Sequence, residues 1–234
     1  LKEDFGKYLV IFLFMVLLIS LVSGFLVADN SIMDAYQKGF EQYNVEYGNL
    51  STKNAIASKD RKAIEKENKL ILYEQNYYEL KESKKNATIR IYGMRKKVNT
   101  LCLMSGTYPK KDNEIALDRV YAKNNNYKNN DTIRIAGKNY TITGMVAFPD
   151  YSCLFSDNAD MMFDSVNFGV AVVTEKALTQ LDQNKLTYNY AWYYQKEPKD
   201  DAAQKKMSDR FLEKLTKKVI VTSYVPRYAN KAIN

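Results

Sequence analysis

The feature that most constrains this chain is an uncharged apolar stretch near its N-terminus, from Tyr8 to Ala28. As a helix it would be about 30 Å long, which matches the hydrocarbon thickness of a bilayer. It lacks the polar face that a soluble core helix shows. A cleaved signal peptide, the alternative, usually has an apolar region of only about 7–15 residues and a cleavage motif of small residues. We therefore predict a retained transmembrane helix over residues 1–28.

Small and basic residues around this stretch predict its packing and orientation. Three small residues lie about one turn apart and would let a second membrane helix approach closely: Ser20, Ser23 and Gly24. Lys2 and Lys7 precede the stretch, and basic residues favour the cytoplasmic side of a membrane. The N-terminus is therefore predicted to be cytoplasmic and residues 29–234 extracytoplasmic, in a protein of the cell membrane.

Apolar residues at helical spacing continue through residues 29–47. Nothing between Ala28 and Ile32 forces a break, so this region is predicted to be a stalk helix that continues the membrane helix. The residues predicted to form its contact with the following domain are Tyr36, Phe40 and Tyr43. Gly48 is predicted to follow the end of this helix.

Beyond the stalk, helix and strand patterns mix irregularly, which predicts an α+β fold. The predicted helices are 58–68, one that begins after Thr174, and 200–218, with Ser58, Thr174 and Asp200 or Asp201 as N-caps. The predicted strands are 70–73, 87–92, 170–173 and 219–222. The clearest local signal is a hairpin over 131–146, in which two alternating runs flank a two-residue turn predicted at Gly137 and Lys138. Because glycine comes first, the predicted turn is of type II′.

Composition excludes several kinds of chemistry. The sequence contains no histidine and only two cysteines, so Ser-His-Asp and Cys-His catalysis and four-cysteine zinc sites are impossible. No glycine-rich phosphate-binding motif occurs, so any ATP hydrolysis would belong to a separate partner subunit. We predict that the chain is not an enzyme, and we predict no catalytic, metal-binding or cofactor-binding residue in it.

The formal net charge of +8 raises the question of nucleic acid as a partner. The basic clusters are scattered among acidic residues rather than interleaved with aromatic residues on one face, so no nucleic-acid partner is predicted. The cysteines, Cys102 and Cys153, leave two interpretations open. They form a disulfide outside the cytoplasm, or they are separate thiols within apolar strands.

Aromatic residues suggest one candidate ligand face. The residues that alternate on one predicted strand are Tyr188, Tyr190, Trp192 and Tyr194. Such a stripe is either a platform for a sugar or peptide or the packed side of a half-buried strand. The run Met161-Met162-Phe163 leaves a similar choice between a core segment and an exposed contact.

Several segments together resemble the FtsX/MacB-type permeases of ABC transporters. The N-terminal membrane helix resembles the first helix of these permeases. The run Ser105–Pro109 followed by Asn113–Leu117 resembles the family's "G-x-x-P … E-I-x-I" stretch. Asn130–Val146 resembles the family's hairpin, although Asn130 stands where glycine is usual. Tyr224–Asn234 resembles the run that leads into the second membrane helix of Gram-positive members.

This resemblance implies an organisation and a function. Family permeases have four or more membrane helices and pair with an ATP-binding subunit, so the chain would be the N-terminal part of such a permease. Its partners would be that cytoplasmic subunit and the remaining membrane helices or a second permease. The implied domains are a porter-like α+β lobe over 48–95 and 156–234 and a small β-rich inserted lobe over 96–155.

The implied work is mechanical: the extracytoplasmic domain transmits ATP-driven motion to a lipid, a peptide or an accessory protein. A different class of function stays open at this stage. The chain could instead be a single-pass sensor or adhesion ectodomain that binds a ligand on the aromatic stripe. Three further hydrophobic stretches beyond Asn234 in the gene would favour the permease, and a stop codon there would favour the sensor.

Overall fold

A computed structural model describes residues 5–233, and the side chains of residues 25–36 lie outside the described part. The chain divides into two units, residues 1–42 and residues 43–234. The first contains one uninterrupted helix, α1 (Phe5–Gln42). Its segment Phe5–Gly24 is long and apolar enough to cross a membrane, and its side chains are exposed rather than packed in a core.

Helix α1 ends at Gln42, earlier than the predicted stalk boundary at residue 47. The chain turns at Asn44, which has a left-handed backbone conformation with a φ of 48°. Tertiary hydrogen bonds replace the helical ones here, because the amide of Thr100 donates to the carbonyl of Tyr43 and that of Asn99 to the carbonyl of Asn44. Tyr47 lies in the core of the second unit rather than on a stalk.

Within the described residues of the second unit, eleven strands form one mixed sheet with four helices. The strands are β1 (Gly48–Thr52), β2 (Leu70–Glu74), β3 (Tyr77–Lys81), β4 (Thr88–Tyr92), β5 (Cys102–Gly106), β6 (Glu114–Asp118), β7 (Thr132–Ile135), β8 (Lys138–Ala147), β9 (Phe168–Val172), β10 (Leu186–Tyr194) and β11 (Val221–Pro226). The helices are α2 (Ser58–Asn68), α3 (Arg119–Asn124), α4 (Glu175–Thr179) and α5 (Asp201–Leu215). The predicted α+β class is confirmed.

The sheet runs in the order β11-β1-β10-β3-β4-β9-β6-β8-β5, with β2 also paired to β10 and β7 to β8. Pairs β4–β9 and β6–β8 are parallel and the other pairs are antiparallel. Strand β1 lies between β10 and β11, so the first strand of this unit pairs with the last. The chain therefore enters and leaves the sheet at neighbouring positions.

Two hydrophobic clusters stabilise the sheet. One joins residues between Tyr78 and Ala177, and the other gathers residues from β1, α2, β2, β10 and α5 around Trp192. The first cluster combines β4 and β9 with strands of the predicted inserted lobe over 96–155. The first cluster thus crosses the boundaries predicted for the inserted lobe. Those boundaries stay a prediction.

Helix caps were predicted with mixed success. The Thr174 hydroxyl accepts a hydrogen bond from the amide of Ala177, and the Asp200 carboxylate accepts one from the amide of Ala203, as the sequence predicts. The predicted cap at Ser58 is wrong. Ala57 occupies the N-cap position of α2 and offers no side-chain acceptor.

The predicted hairpin is present, but its turn lies one residue earlier than predicted. Ile135 pairs with Lys138, so the two turn residues are Ala136 and Gly137 rather than Gly137 and Lys138. Both have positive φ angles, 48° and 82°, which is the backbone pattern of a type I′ turn rather than type II′. The buried positions decide this register, because Ile133 and Tyr140 face the core from opposite strands.

Candidate functional site

The segment that follows α1, residues 43–47, is bound tightly into the second unit, and we call it the junction segment. Its main partner is Arg227, which begins the last described stretch of chain, the return segment (residues 227–233). The Nε–H of Arg227 donates to the carbonyl of Glu46 over 2.6 Å, and an Nη donates to the carbonyl of Val45. The backbone amide of Arg227 donates to the carbonyl of Tyr47 over 2.8 Å. One residue therefore binds three consecutive carbonyls of the junction segment.

The guanidinium of Arg227 also stacks on an aromatic ring. Its central carbon lies 4.2 Å from the ring centroid of Tyr47, a distance at which a cation is attracted to the ring face. The amide of Tyr47 donates to the carbonyl of Trp192 over 2.9 Å and so extends the β1–β10 ladder by one residue. The junction segment is thus fixed on one side by the sheet and on the other by the return segment.

Glu46 is a buried carboxylate within the junction segment, with 1% of its surface exposed. Its two oxygens accept hydrogen bonds from the side-chain amides of Asn49 and Asn99, each over 2.7 Å. Asn99 returns a contact, because its Oδ1 accepts the backbone amide of Glu46 over 2.9 Å. Burial, followed by the nearby charge of Asp150, raises the pKa of Glu46 to about 7. This carboxyl therefore titrates near neutral pH.

A buried ion pair lies near this carboxylate. Arg95 Nη1 donates to Asp150 Oδ1 over 2.5 Å, and the two side chains are 4% and 6% exposed. The Arg95 guanidinium lies 4.0 Å above the Tyr92 ring. Its Nε and Nη2 have no hydrogen-bond partner among the described residues. Desolvation of both charges makes this pair sensitive to the loss of either partner.

A small polar cavity adjoins these residues and encloses about 120 Å³, room for several water molecules. Its lining is mostly polar and draws on the junction segment, the central strands and the return segment: Glu46, Ser51, Gln75, Arg90, Asn189 and Asn230. Arg90 is fully engaged there, with Glu79, Tyr151 and the carbonyl of Ser156 as acceptors. The site is thus a polar, partly open cavity beside the point where the chain enters the sheet.

Glu46→Gln is expected to remove a pH dependence from the stability of the domain. The folded protein keeps the Glu46 proton up to pH about 7, whereas the ordinary pKa of a glutamate is 4.5. Between these values the folded state binds more protons than the unfolded state, so the wild type loses stability as pH rises. This loss is at most ~3 kcal/mol. Urea unfolding should show the wild-type free energy of unfolding falling by about 2 kcal/mol from pH 4.5 to pH 8, whereas that of the variant, which also loses one acceptor for the amides of Asn49 and Asn99, should stay level.

Glu213→Gln provides the control for this titration. The Glu213 carboxylate is exposed, and its hydrogen bond with Lys217 lowers its pKa, so it does not titrate in this range. Its replacement should leave the pH dependence of the wild type unchanged. Glu46 is not the titrating group if the wild-type stability does not fall between pH 4.5 and pH 8. The same holds if the stability of Glu46→Gln falls equally.

The aromatic stripe predicted as a candidate ligand face is part of the core. Tyr190, Trp192 and Tyr194 are at most 3% exposed, and only Tyr188 is half-buried. Trp192 stacks on Tyr224 with ring centroids 4.8 Å apart and meets Phe211 of α5 edge to face. Strand packing is therefore the correct interpretation of this stripe, and the binding-face interpretation is wrong.

The other predicted site residues lie apart from the junction segment. Cys102 and Cys153 are separate free thiols, each partly exposed, which is the second of the two interpretations, but only Cys102 lies in a strand. Ser20, Ser23 and Gly24 lie on the exposed surface of α1, and their role in helix packing stays a prediction. The side chain of Tyr36 lies outside the described part, Phe40 is half-buried, and Tyr43 belongs to the second unit. The stalk contact also stays a prediction.

No protein-family model and no curated protein matches the sequence. Solved structures do match. The structure is similar to the extracellular domain of the noncanonic ABC-type transporter YknZ from Gram-positive bacteria, at 8% identity and a TM-score of 0.42, over 76% of this chain and 99% of that one. It is also similar to the periplasmic region of MacB from Actinobacillus actinomycetemcomitans, at 13% identity and a TM-score of 0.42, over 81% and 94%.

A third similar structure is a domain of a putative permease protein from Porphyromonas gingivalis, at 11% identity and a TM-score of 0.34, over 76% of this chain and 86% of that one. The matched chains are extracytoplasmic or permease domains, the kind of protein that the sequence resemblance predicted. Identities this low concern the fold, and function is inferred from the residues of this chain.

Proposed function

We propose that this chain is the N-terminal part of the permease subunit of an ABC transporter of the FtsX/MacB type. Its domain would lie outside the cytoplasm and pass ATP-driven motion of a cytoplasmic ATP-binding subunit to a lipid, a peptide or an accessory protein. The observation that carries the proposal is the binding of the junction segment by Arg227. A helix that reaches into a membrane transmits displacement only if the chain directly beyond it is held firmly by the domain.

Two properties of the chain support such transmission. Helix α1 runs from Phe5 to Gln42 without interruption, and a continuous hydrogen-bonded helix is far stiffer than a loop of the same length. The junction segment has almost no freedom of its own, since the carbonyls of residues 43–47 accept hydrogen bonds from Arg227 and from the backbone of Asn99 and Thr100. Displacement of the helix end would therefore reach the sheet through β1.

The sensor or adhesion alternative loses its predicted binding face, because the aromatic stripe is buried. The membrane orientation belongs to the proposal as well. Lys2 and Lys7 favour a cytoplasmic N-terminus, which would place the ATP-binding subunit on the side opposite the domain. The motion would then have to cross the membrane through α1.

The proposal is tested by breaking α1 at Gly39 in the complete transporter. A side chain at this position would meet nothing within 4 Å, so Gly39→Ala should preserve or slightly stabilise the helix. Gly39→Pro should interrupt it at a cost of about 3 kcal/mol. Spin labels at Gln37 and Ile220, in a background without the native cysteines, would report the distance between helix and domain. We expect ATP with vanadate to change that distance in the wild type and in Gly39→Ala.

The same change should be absent or strongly reduced in Gly39→Pro. The wild-type transporter would first be shown to contain the ATP-binding subunit and to hydrolyse ATP. If the label distance in it then does not change with ATP, mechanical transmission is refuted. An equal response in Gly39→Pro and Gly39→Ala would refute the role of the continuous helix. Failure of any ATP-binding subunit to copurify with the chain would refute the permease assignment itself.

A further inference from the structure

The loop between β8 and β9 presents large apolar side chains to solvent. Met161, Met162 and Phe163 are 96%, 81% and 54% exposed, and we call these three residues the apolar tip. Val166 adds a half-exposed apolar surface next to them. Single exposed apolar residues are ordinary, but a contiguous group of this kind usually marks an interaction surface. Among the described residues of the second unit, the ring of Phe155 meets Phe163 edge to face, and the two methionines stay largely exposed.

Specific hydrogen bonds shape the loop on both sides of the apolar tip. Before it, Asp160 Oδ2 accepts from the amide of Asp157 over 2.9 Å and from the hydroxyl of Ser156 over 2.5 Å. After it, Asp164 Oδ1 accepts from the amides of Val166 and Asn167 over 3.0 and 2.9 Å. The exposure of the apolar tip is therefore a property of a well-defined loop.

The loop is also bound to the return segment. The side-chain amide of Asn158 donates to the carbonyl of Ala229, and its oxygen accepts the amide of Lys231, each over 2.9 Å. Lys231 reaches back, because its Nζ donates to the carbonyl of Asp160 over 2.9 Å. The apolar tip thus has a direct connection to the segment that binds the junction segment.

The charge around the apolar tip is opposite to that of the chain. The chain as a whole has a net charge of +8, yet residues 139–175 contain no lysine or arginine. Asp157, Asp160 and Asp164 lie directly beside the tip. Hydrogen bonds within the loop lower the pKa of Asp160 and of Asp164, so both stay ionised at neutral pH. Lys231 contacts the carbonyl of Asp160 and Arg90 contacts that of Ser156, and these two cations offset part of this charge.

We propose that the apolar tip and its three aspartates form a docking surface for a basic amphipathic segment of a partner peptide or protein. Methionine side chains are flexible and polarisable and adapt to apolar faces of different shape. The carboxylates would pair with lysine or arginine side chains that flank such a face. The same carboxylates would be repelled by an anionic membrane surface, which argues for a peptide rather than a lipid. The inference does not rest on the permease assignment.

Binding of a defined peptide to the full chain tests this surface. The chain would be placed in phosphatidylcholine nanodiscs, with empty discs as the background, and titrated into a fluorescent amphipathic peptide of lysine and leucine. We expect M161S/M162S/F163S to weaken binding by about tenfold or more, since central apolar contacts dominate interface affinity. Ile220→Ser is the matched control, because Ile220 is 64% exposed elsewhere in the domain and should be neutral.

A second variant tests the contribution of the aspartate charges to peptide binding. D157N/D160N should weaken binding severalfold and flatten its dependence on salt, because asparagine oxygens can still accept the backbone hydrogen bonds of the loop. A peptide of glutamate and leucine should bind at least about tenfold more weakly than the lysine peptide. Circular dichroism of each variant would verify that the domain remains folded.

Several outcomes would overturn the proposal. Equal affinity of the wild type and M161S/M162S/F163S, or equal affinity for the two peptides, would do so. Self-association that the triple variant abolishes, without an effect on peptide binding, would assign the tip to a second copy of the chain. A blue-shifted emission from an environment-sensitive dye on Met162→Cys, in a background without Cys102 and Cys153 and in peptide-free nanodiscs, would assign the tip to the bilayer.

Discussion

Trp192→Ala is expected to lower the free energy of unfolding by about 4 kcal/mol. The indole is fully buried, stacks on Tyr224 and meets Phe211 edge to face, so its removal leaves a cavity in the middle of the second hydrophobic cluster. Collapse around this cavity is limited, because β10 is paired on both sides, with β1 and with β2. Trp192 is the single tryptophan of the sequence, so urea unfolding should be followed by circular dichroism rather than by tryptophan fluorescence.

Tyr188→Ala on the same strand is the comparison variant. Tyr188 is half-buried at the edge of the same cluster, and its truncation should cost about 1 kcal/mol. The ratio of the two effects distinguishes core packing from a binding face. A Trp192→Ala variant as stable as the wild type would contradict the assignment of the stripe to the core.

The second large effect is expected for Arg227→Ala, at about 3 kcal/mol of lost stability. The variant leaves the buried carbonyls of Val45 and Glu46 without their side-chain donor and removes the cation from the face of Tyr47. Arg227→Lys should recover only part of the loss, since a single ammonium cannot present the paired donors of a guanidinium. Amide hydrogen exchange of residues 43–47 should accelerate in Arg227→Ala more than exchange in β6 and β9.

Arg134→Ala serves as the matched control for Arg227. Arg134 is exposed and donates only to the carbonyl of Gly137, over 3.3 Å, among its described hydrogen bonds. Its removal should change stability by less than about 0.5 kcal/mol. Equal effects of the two substitutions would show that the binding of the junction segment contributes nothing specific.

Local patterns predicted much of the fold. The alternation of Ile133 and Ile135 with polar residues identified β7, and the caps at Thr174 and Asp200 located the starts of two helices. The hairpin turn was misplaced by one residue because glycine is compatible with either turn position, whereas the pairing of the buried faces selects only one. Local sequence therefore determined the strands better than their register.

The candidate site could not be predicted in the same way. Arg227 and Glu46 are far apart in the sequence, and no periodicity relates them. Glu46 also lies within the predicted stalk helix, between Val45 and Tyr47, where a glutamate ordinarily indicates an exposed helix face. The aromatic stripe fails for the opposite reason: alternation on a strand shows that one face is distinct, but not whether a helix such as α5 covers it. The contact between Arg227 and the junction segment and the cover of the stripe by α5 both depend on tertiary structure.

The pairing of the first strand with the last has a consequence for how the domain would bear a load. Gly48 lies opposite Pro226, so the two points through which a pull would enter the domain are separated by one ladder spacing. Tension between them would load the β1–β11 ladder and the contacts of the junction segment with Arg227, Asn99 and Thr100 before it reached the rest of the sheet. Because these strands would open from one end, their hydrogen bonds would be loaded one after another. The contacts of the junction segment would therefore have to hold for a pull to displace the domain without opening the β1–β11 pair.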